Sequence, residues 1–216
     1  MLIACWSAKG GSGTTVVSVA LGLLLARGAP GGALIVDLAG DVPAALGMAE
    51  PSGAGVTDWL AAGDDVEVDA LARLEIDAAP SLRIVPRGSV AEPPAPRVEA
   101  LAAALQADAR PVVADCGVAP GSVAQTLAAE ASLSLLVVRP CYLALRRALA
   151  APFRPSGVVL VEERGRALTR ADVEGVLGVP VRAVVEVDST VARAVDAGLL
   201  AGRLPAGLER ALRNAA

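Results

Sequence analysis

The stretch from Leu2 to Arg27, LIACWSAKGGSGTTVVSVALGLLLAR, constrains the fold more than any other. It opens on a short apolar run that reads as a buried strand. Three glycines follow within four residues, Gly10, Gly11 and Gly13. From Thr14 to Arg27 the chain has helical length and is apolar on most faces, and GAPGG at 28–32 stops it. A strand and a helix that are both apolar nearly all round must be covered on both sides, which a layered α/β domain provides. The apolar part of the helix, VVSVALGLLLA, is 11 residues long, short of the roughly 18 that a membrane span requires.

The same alternation continues along the chain. Strands are expected at 33–38 (ALIVDL), 81–86, 111–117 (PVVADCG), 133–140, 157–162 and 180–187. Helices are expected at 97–108, 121–131, 142–151 and 169–177, with further helices to the end. Between them, 39–80 holds short helical pieces, VTDWLAAG and VDALARL, and AEPPAP at 91–96 is a Pro-rich connection too short to be a domain linker. The expectation is one domain over 1–216, a doubly wound, mostly parallel sheet with helices on both faces. Ligands on such sheets sit at the carboxyl ends of the strands. The glycine loop, Asp37 after the second strand and Asp115 after a middle strand all fall there.

Composition removes several kinds of chemistry. With 0 His among 216 residues, a histidine metal site and a His-dependent triad are excluded. Cys5, Cys116 and Cys141 are far apart and form no CxxC pair, so they read as small buried apolar residues rather than zinc ligands. Free cysteines and the lack of a charged region ahead of an apolar N-terminal stretch point to a reducing, cytoplasmic setting. A net charge of −4 argues against wholesale attraction to nucleic acid or anionic lipid. Of the 19 basic residues, Lys9 is the sole lysine, and it lies inside the glycine loop. In a chain that otherwise uses arginine, position 9 calls for a compact ammonium rather than a broad, planar guanidinium.

Strand, AKGGSGTT, helix is the context of a phosphate-binding loop. Gly10, Gly11, Ser12 and Gly13 turn the backbone tightly, and the helix that begins at Thr14 adds the positive end of its dipole. Thr15 holds the position whose hydroxyl ligates Mg²⁺. The bound group expected is therefore a phosphate with Mg²⁺; that it belongs to ATP or ADP is what a family resemblance implies. The lysine that such a loop carries just before this threonine is missing, and Thr14 stands in its place.

KGGSGTT resembles the deviant loop K-G-G-x-G-K-T of the ParA/MinD ATPases, which position DNA, division machinery and other cargo. LIVDLAGDVPAALG, VVADCG, LLVVRPCYLALRRA and LGVPVRAVVEVDSTVARAVDAG resemble later motifs of that family, so the likeness covers nearly the whole chain. Within the family the chain most resembles the CpaE/TadZ-like branch linked to pilus assembly and polar localisation. The resemblance implies a nucleotide-dependent homodimer in which Lys9 reaches the partner's phosphates. It places Asp37 near the Mg²⁺ shell and has Asp115 hold a Mg²⁺-bound water, so Lys9, Asp37 and Asp115 become the catalytic candidates. It implies a protein partner in a positioning, pilus or secretion system and a polar or peripheral location, with nucleic acid the less favoured partner.

The departures from the family pattern weaken the expected chemistry. Thr14 removes a charge-assisted phosphate contact, Ala39 replaces an aspartate that orients the attacking water, and Asp41 lies two residues too far on to match it. Glu162 stands where an adenine-reading asparagine is usual, and Glu186 where proline is frequent. Weak to moderate nucleotide binding with very slow or absent hydrolysis is the expectation; the alternative is a nucleotide-independent scaffold. A ligase or kinase of the same superfold ranks last, because it needs the missing lysine. No cysteine pair flanks the switch segments, so the iron–sulfur branch of the superfamily does not apply. Four further features carry two readings each. Trp6 is a core residue or a base-stacking one, and Trp59 a buried residue or an exposed anchor for a partner. Arg146 and Arg147 form a solvated helix face or a DNA contact. The stripe Leu204, Leu208 and Leu212 is a packed face rather than a membrane-targeting helix, which would be longer and more basic.

Overall fold

Side chains alternate across the first strand and fix two cores at once. In β1 (Leu2–Ser7), Leu2, Ala4 and Trp6 face one core, and Ile3 and Cys5 face the other, all of them buried. This is the period-2 rule applied to a strand covered on both sides. β1 runs parallel between β5 (Val112–Val118) and β6 (Leu133–Val138), so it lies inside the sheet. The computed structural model describes residues 1–63, 68–91, 93, 96–118 and 121–215. The Pro-rich connection at 91–96 lies partly outside them.

The remaining strands are β2 (Ala33–Asp37), β3 (Ile76–Ala79), β4 (Leu82–Val85), β7 (Gly157–Glu162) and β8 (Val181–Glu186). The eight strands stand in the order β3-β4-β2-β5-β1-β6-β7-β8. Every neighbouring pair is parallel except β3 with β4. One face of the sheet is covered by α1 (Thr14–Gly28), α2 (Val42–Leu46), α8 (Ser189–Asp196) and α9 (Ala206–Leu212). The other is covered by α3 (Val56–Ala61), α4 (Val98–Ala107), α5 (Ser122–Glu130), α6 (Tyr142–Leu149) and α7 (Arg170–Leu177). A 3₁₀ helix over Val68–Leu74 joins this second layer.

The expected α/β class, strand direction and order of elements all hold. One difference lies in 39–80, where the sequence suggests helical pieces alone. Besides those, the segment forms β3, an antiparallel edge strand with Ile76, Ala78 and Ala79 half-buried and Asp77 exposed. Four residues at a sheet edge carry too little apolar signal to stand out. Leu204, Leu208 and Leu212 are buried against the layer that contains α1 and β8, so that stripe is core. Among the described residues no helix is long and apolar enough to cross a membrane.

Candidate functional site

The loop between β1 and α1 turns where its glycines allow it. Gly11 and Gly13 have φ of 76° and 86°, a region that residues with a Cβ rarely occupy. Ser12 donates from Oγ to the Lys9 carbonyl at 2.8 Å and closes the turn. Ser7 donates from Oγ to the Gly117 carbonyl at 3.2 Å and ties the loop to the end of β5. α1 then starts with Val17 N–H donating to the Gly13 carbonyl at 3.0 Å. Its first N–H groups have no partner within the helix, and its first turn has no acidic residue to compete for them.

A cavity of about 550 Å³ opens on this loop, large enough for a nucleotide's phosphates. Gly10 to Val16 form one wall; Leu38, Ala39 and Asp41 after β2 and Cys116 to Val118 on β5 form the opposite one. A Cβ placed on Gly11 or Gly13 would meet nothing within 4 Å, so these glycines leave the cradle open rather than fill it. Thr14 is buried against the loop and carries no charge. Lys9 lies outside the lining: its Nζ is exposed and donates to the Gly10 carbonyl at 3.4 Å.

Asp37 and Asp115 are register partners on neighbouring strands, and both are fully buried below the cavity. Asp37 Oδ1 accepts from Ala39 N–H at 2.9 Å and Gly40 N–H at 2.6 Å, and Oδ2 accepts from Val42 N–H at 3.0 Å. Burial nonetheless pushes its carboxyl up to about 6, helped by the charge of Asp115 and opposed by those three bonds. Asp115 Oδ1 lies 3.2 Å from Ser18 Oγ and accepts from Gly117 N–H at 3.3 Å. Its Oδ2 is buried without a hydrogen-bond partner among the described residues. Burial raises the Asp115 carboxyl above all else, and Thr15, Gly117 and Ser18 oppose the rise. An orphaned carboxylate oxygen next to the Thr15 side chain is the donor set that a hard cation such as Mg²⁺ takes, directly or through water. The residues present therefore fit a magnesium-bound phosphate. No group of three or more metal-binding side chains occurs among the described residues.

The structure also brings in a residue that sequence reasoning passed over. Arg87, in the loop after β4, lines the cavity and is the one cation among the described residues of its lining. Its Nε donates to the Leu38 carbonyl at 3.2 Å and its Nη2 to the Ala91 carbonyl at 2.7 Å. A preceding strand end was the available signal, but it did not distinguish Arg87 from the other arginines.

Other candidates settle into the core. Trp6 is buried, donates to Ser134 Oγ at 3.1 Å and packs on Phe153 at 4.6 Å between ring centroids, so it is unavailable to a base. Trp59 is not an exposed anchor: it is buried, with the Arg97 guanidinium 3.9 Å from its ring centroid. Cys5 and Cys116 are buried, which pushes Cys5 up to about 12 and Cys116 well above the ordinary thiol range. Arg146 and Arg147 are exposed on α6. Glu162 and Glu186 are register partners at the ends of β7 and β8 and line a separate cavity of about 140 Å³.

No family model matches the sequence. No curated protein matches it either. Solved structures do. A ParA family ATPase from Chlorobium tepidum TLS superposes with a TM-score of 0.79 at 20% identity, over 98% of this chain and 95% of that one. The septum site-determining protein MinD with Mg-ADP from Pyrococcus horikoshii OT3 gives 0.76 at 18%, over 99% and 93%. An ATP complex of an McdA variant from Cyanothece gives 0.75 at 18%, over 99% and 94%. The chain is thus similar end to end to these proteins, and it has the α/β fold, with an eight-stranded, mostly parallel sheet, of the ParA/MinD P-loop ATPases.

Proposed function

We propose that this chain is a nucleotide-binding positioning protein of the ParA/MinD type, akin to the CpaE/TadZ-like branch, whose hydrolysis is very slow or absent. The observation that carries this reading is the open glycine cradle at the start of α1, with uncharged Thr14 where a lysine is needed. Gly10 to Thr15 hold the phosphates of ATP or ADP. Thr15 and Asp115 hold Mg²⁺, which neutralises phosphate charge when bound. Asp37 spends three of its roughly four acceptor sites on backbone N–H groups, which leaves Oδ2 one lone pair for the Mg²⁺ shell. It acts as a strut that shapes the wall at Leu38 and Ala39.

Lys9 is half-buried and does not line its own cavity, and its role is to reach the phosphates of a second copy. Nucleotide then favours a homodimer, and the dimer organises a protein partner of a pilus, secretion, division or partition machine at a polar or peripheral site. The ADP-bound MinD and ATP-bound McdA structures make adenine nucleotides the first to test. A scaffold that needs no nucleotide is the second reading. It is favoured by a loop that has neither its lysine nor, at Ala39, an acid to orient water.

Titrating Mg-ATP, Mg-ADP and Mg-GTP into the purified chain, read by melting temperature and mass, separates the two. A rise in both with ATP supports the positioning protein, and no response at millimolar nucleotide supports the scaffold. Single-turnover ATP hydrolysis at the rate of an ordinary member of the family would overturn the slow-hydrolysis part. K9A is expected to bind nucleotide and stay monomeric; dimerisation unchanged from wild type would remove the crossing role.

A further inference from the structure

A triphosphate carries several negative charges, and burying them without a counter-charge is costly. The loop lysine that usually supplies one is Thr14 here, Lys9 is not part of the cavity lining, and Asp41 in the lining is acidic. Among the described residues that line the cavity, Arg87 alone is positive.

Arg87 is held as a built part of that wall. The N-terminal turn of α3 grips the backbone around it. Val56 N–H donates to the Pro86 carbonyl at 2.9 Å, and Thr57 donates to the Arg87 carbonyl from both N–H and Oγ1 at 2.8 Å. Asp58 accepts from Ser89 N–H at 3.1 Å and from Ser89 Oγ at 2.6 Å, bonds that also hold its carboxyl below the usual range. The side chain is pinned in turn at the Leu38 and Ala91 carbonyls. A guanidinium has five N–H donors, so three remain beyond those two bonds. A cation already ordered loses little freedom when it meets an anion.

Its place on the wall selects which phosphate it meets. In a loop of this kind the threonine hydroxyl would hold Mg²⁺, which would neutralise charge at the terminal phosphates. Thr15 lies against Asp115 of β5, so the γ end of the chain faces the ends of β5 and β2. Arg87 reaches that side through Leu38, next to Asp37. Resting on the nucleotide reading above, we propose that Arg87 binds the terminal phosphate of a nucleoside triphosphate seated on the β1–α1 loop, standing in for the absent loop lysine and setting the preference for triphosphate over diphosphate.

Isothermal titration of Mg-ATP and Mg-ADP into wild type, R87A and R87Q tests this, with a thermal melt of each variant. R87Q keeps an amide that can hold one of the pinned carbonyls but removes the charge. Both variants are expected to lose about ten- to a hundredfold in ATP affinity, the worth of one charge-assisted contact, with ADP affinity changed by less than about threefold. An unchanged ATP-to-ADP ratio in both variants overturns the assignment and leaves nucleotide binding intact. Equal losses for both nucleotides with a lowered melting temperature also overturn it, since Arg87 is then a structural pin. If wild type binds neither nucleotide at millimolar concentration, the nucleotide reading falls and this assignment with it.

Discussion

Two neighbouring strands of this molecule do opposite things with the same residue. β2 ends in Asp37 and β5 carries Asp115, and the two are register partners buried to the same depth. The turn after β2 folds back over its aspartate and gives it three backbone N–H donors. The chain at the end of β5 gives Asp115 one N–H and a shared serine, and leaves Oδ2 beside the Thr15 side chain without a backbone donor among the described residues. One carboxylate is committed to its own turn; the other keeps an oxygen in reserve. A buried acid in a strand end is therefore a functional candidate only to the extent that its turn leaves it unsatisfied.

The comparison can be broken most directly at Asp37. Asp37→Ala leaves three N–H groups in the turn without their acceptor and should destabilise the fold by about 2–4 kcal/mol in urea unfolding. Asp37→Asn should cost less, because its amide oxygen can keep the Ala39 and Gly40 bonds while its NH₂ opposes Val42 N–H. Equal stability of Asp37→Ala and wild type would remove the strut role.

A smaller effect is expected from pH. The carboxyl of Asp37 is raised in the folded chain to about 6, from an ordinary value of 3.8. Between those values the folded state binds more protons than the unfolded one, so its contribution is greatest below the lower value and declines as pH rises through the upper. Lowering pH from 7 to 5 should therefore gain about 1 kcal/mol relative to Asp37→Asn, which lacks this group. A wild-type profile parallel to that of the variant would show that Asp37 titrates normally.

The smallest change in stability, within about 1 kcal/mol, is expected of Asp115→Asn, whose amide oxygen can keep the Ser18 and Gly117 contacts. Its effect should fall on the ligand instead: Mg²⁺ should strengthen ATP binding to wild type and do so far less to the variant. A variant that binds Mg-ATP as wild type does would show that the spare oxygen serves no cation. Loss of folding on Asp115→Asn would reverse the comparison altogether.

Much of the fold was legible because parallel strands covered on both faces must be apolar throughout. LIACWS, ALIVD and LSLLVV announce themselves as runs bounded by glycine, proline or acid. The cradle was legible for a similar reason, since a tight turn into a helix needs glycines at fixed places. β3 was not, because an edge strand of four residues with Asp77 exposed has no such pattern. Trp59 was not, because its burial depends on α3 and on Arg97, 38 residues away.

The sequence by itself determined the class of fold, the position of the loop, and the absence at Thr14 of the charge that the loop usually carries. These are local facts, set by the residues that stand next to one another. Only the tertiary structure decided that Asp37 takes three backbone N–H groups where Asp115 takes one, that Lys9 stays out of the cavity lining, and that Arg87 joins it from the end of β4. Hydrogen-bond satisfaction and proximity across strands are properties of the folded chain, and residues as far apart in sequence as Leu38 and Arg87 meet only when the sheet is assembled.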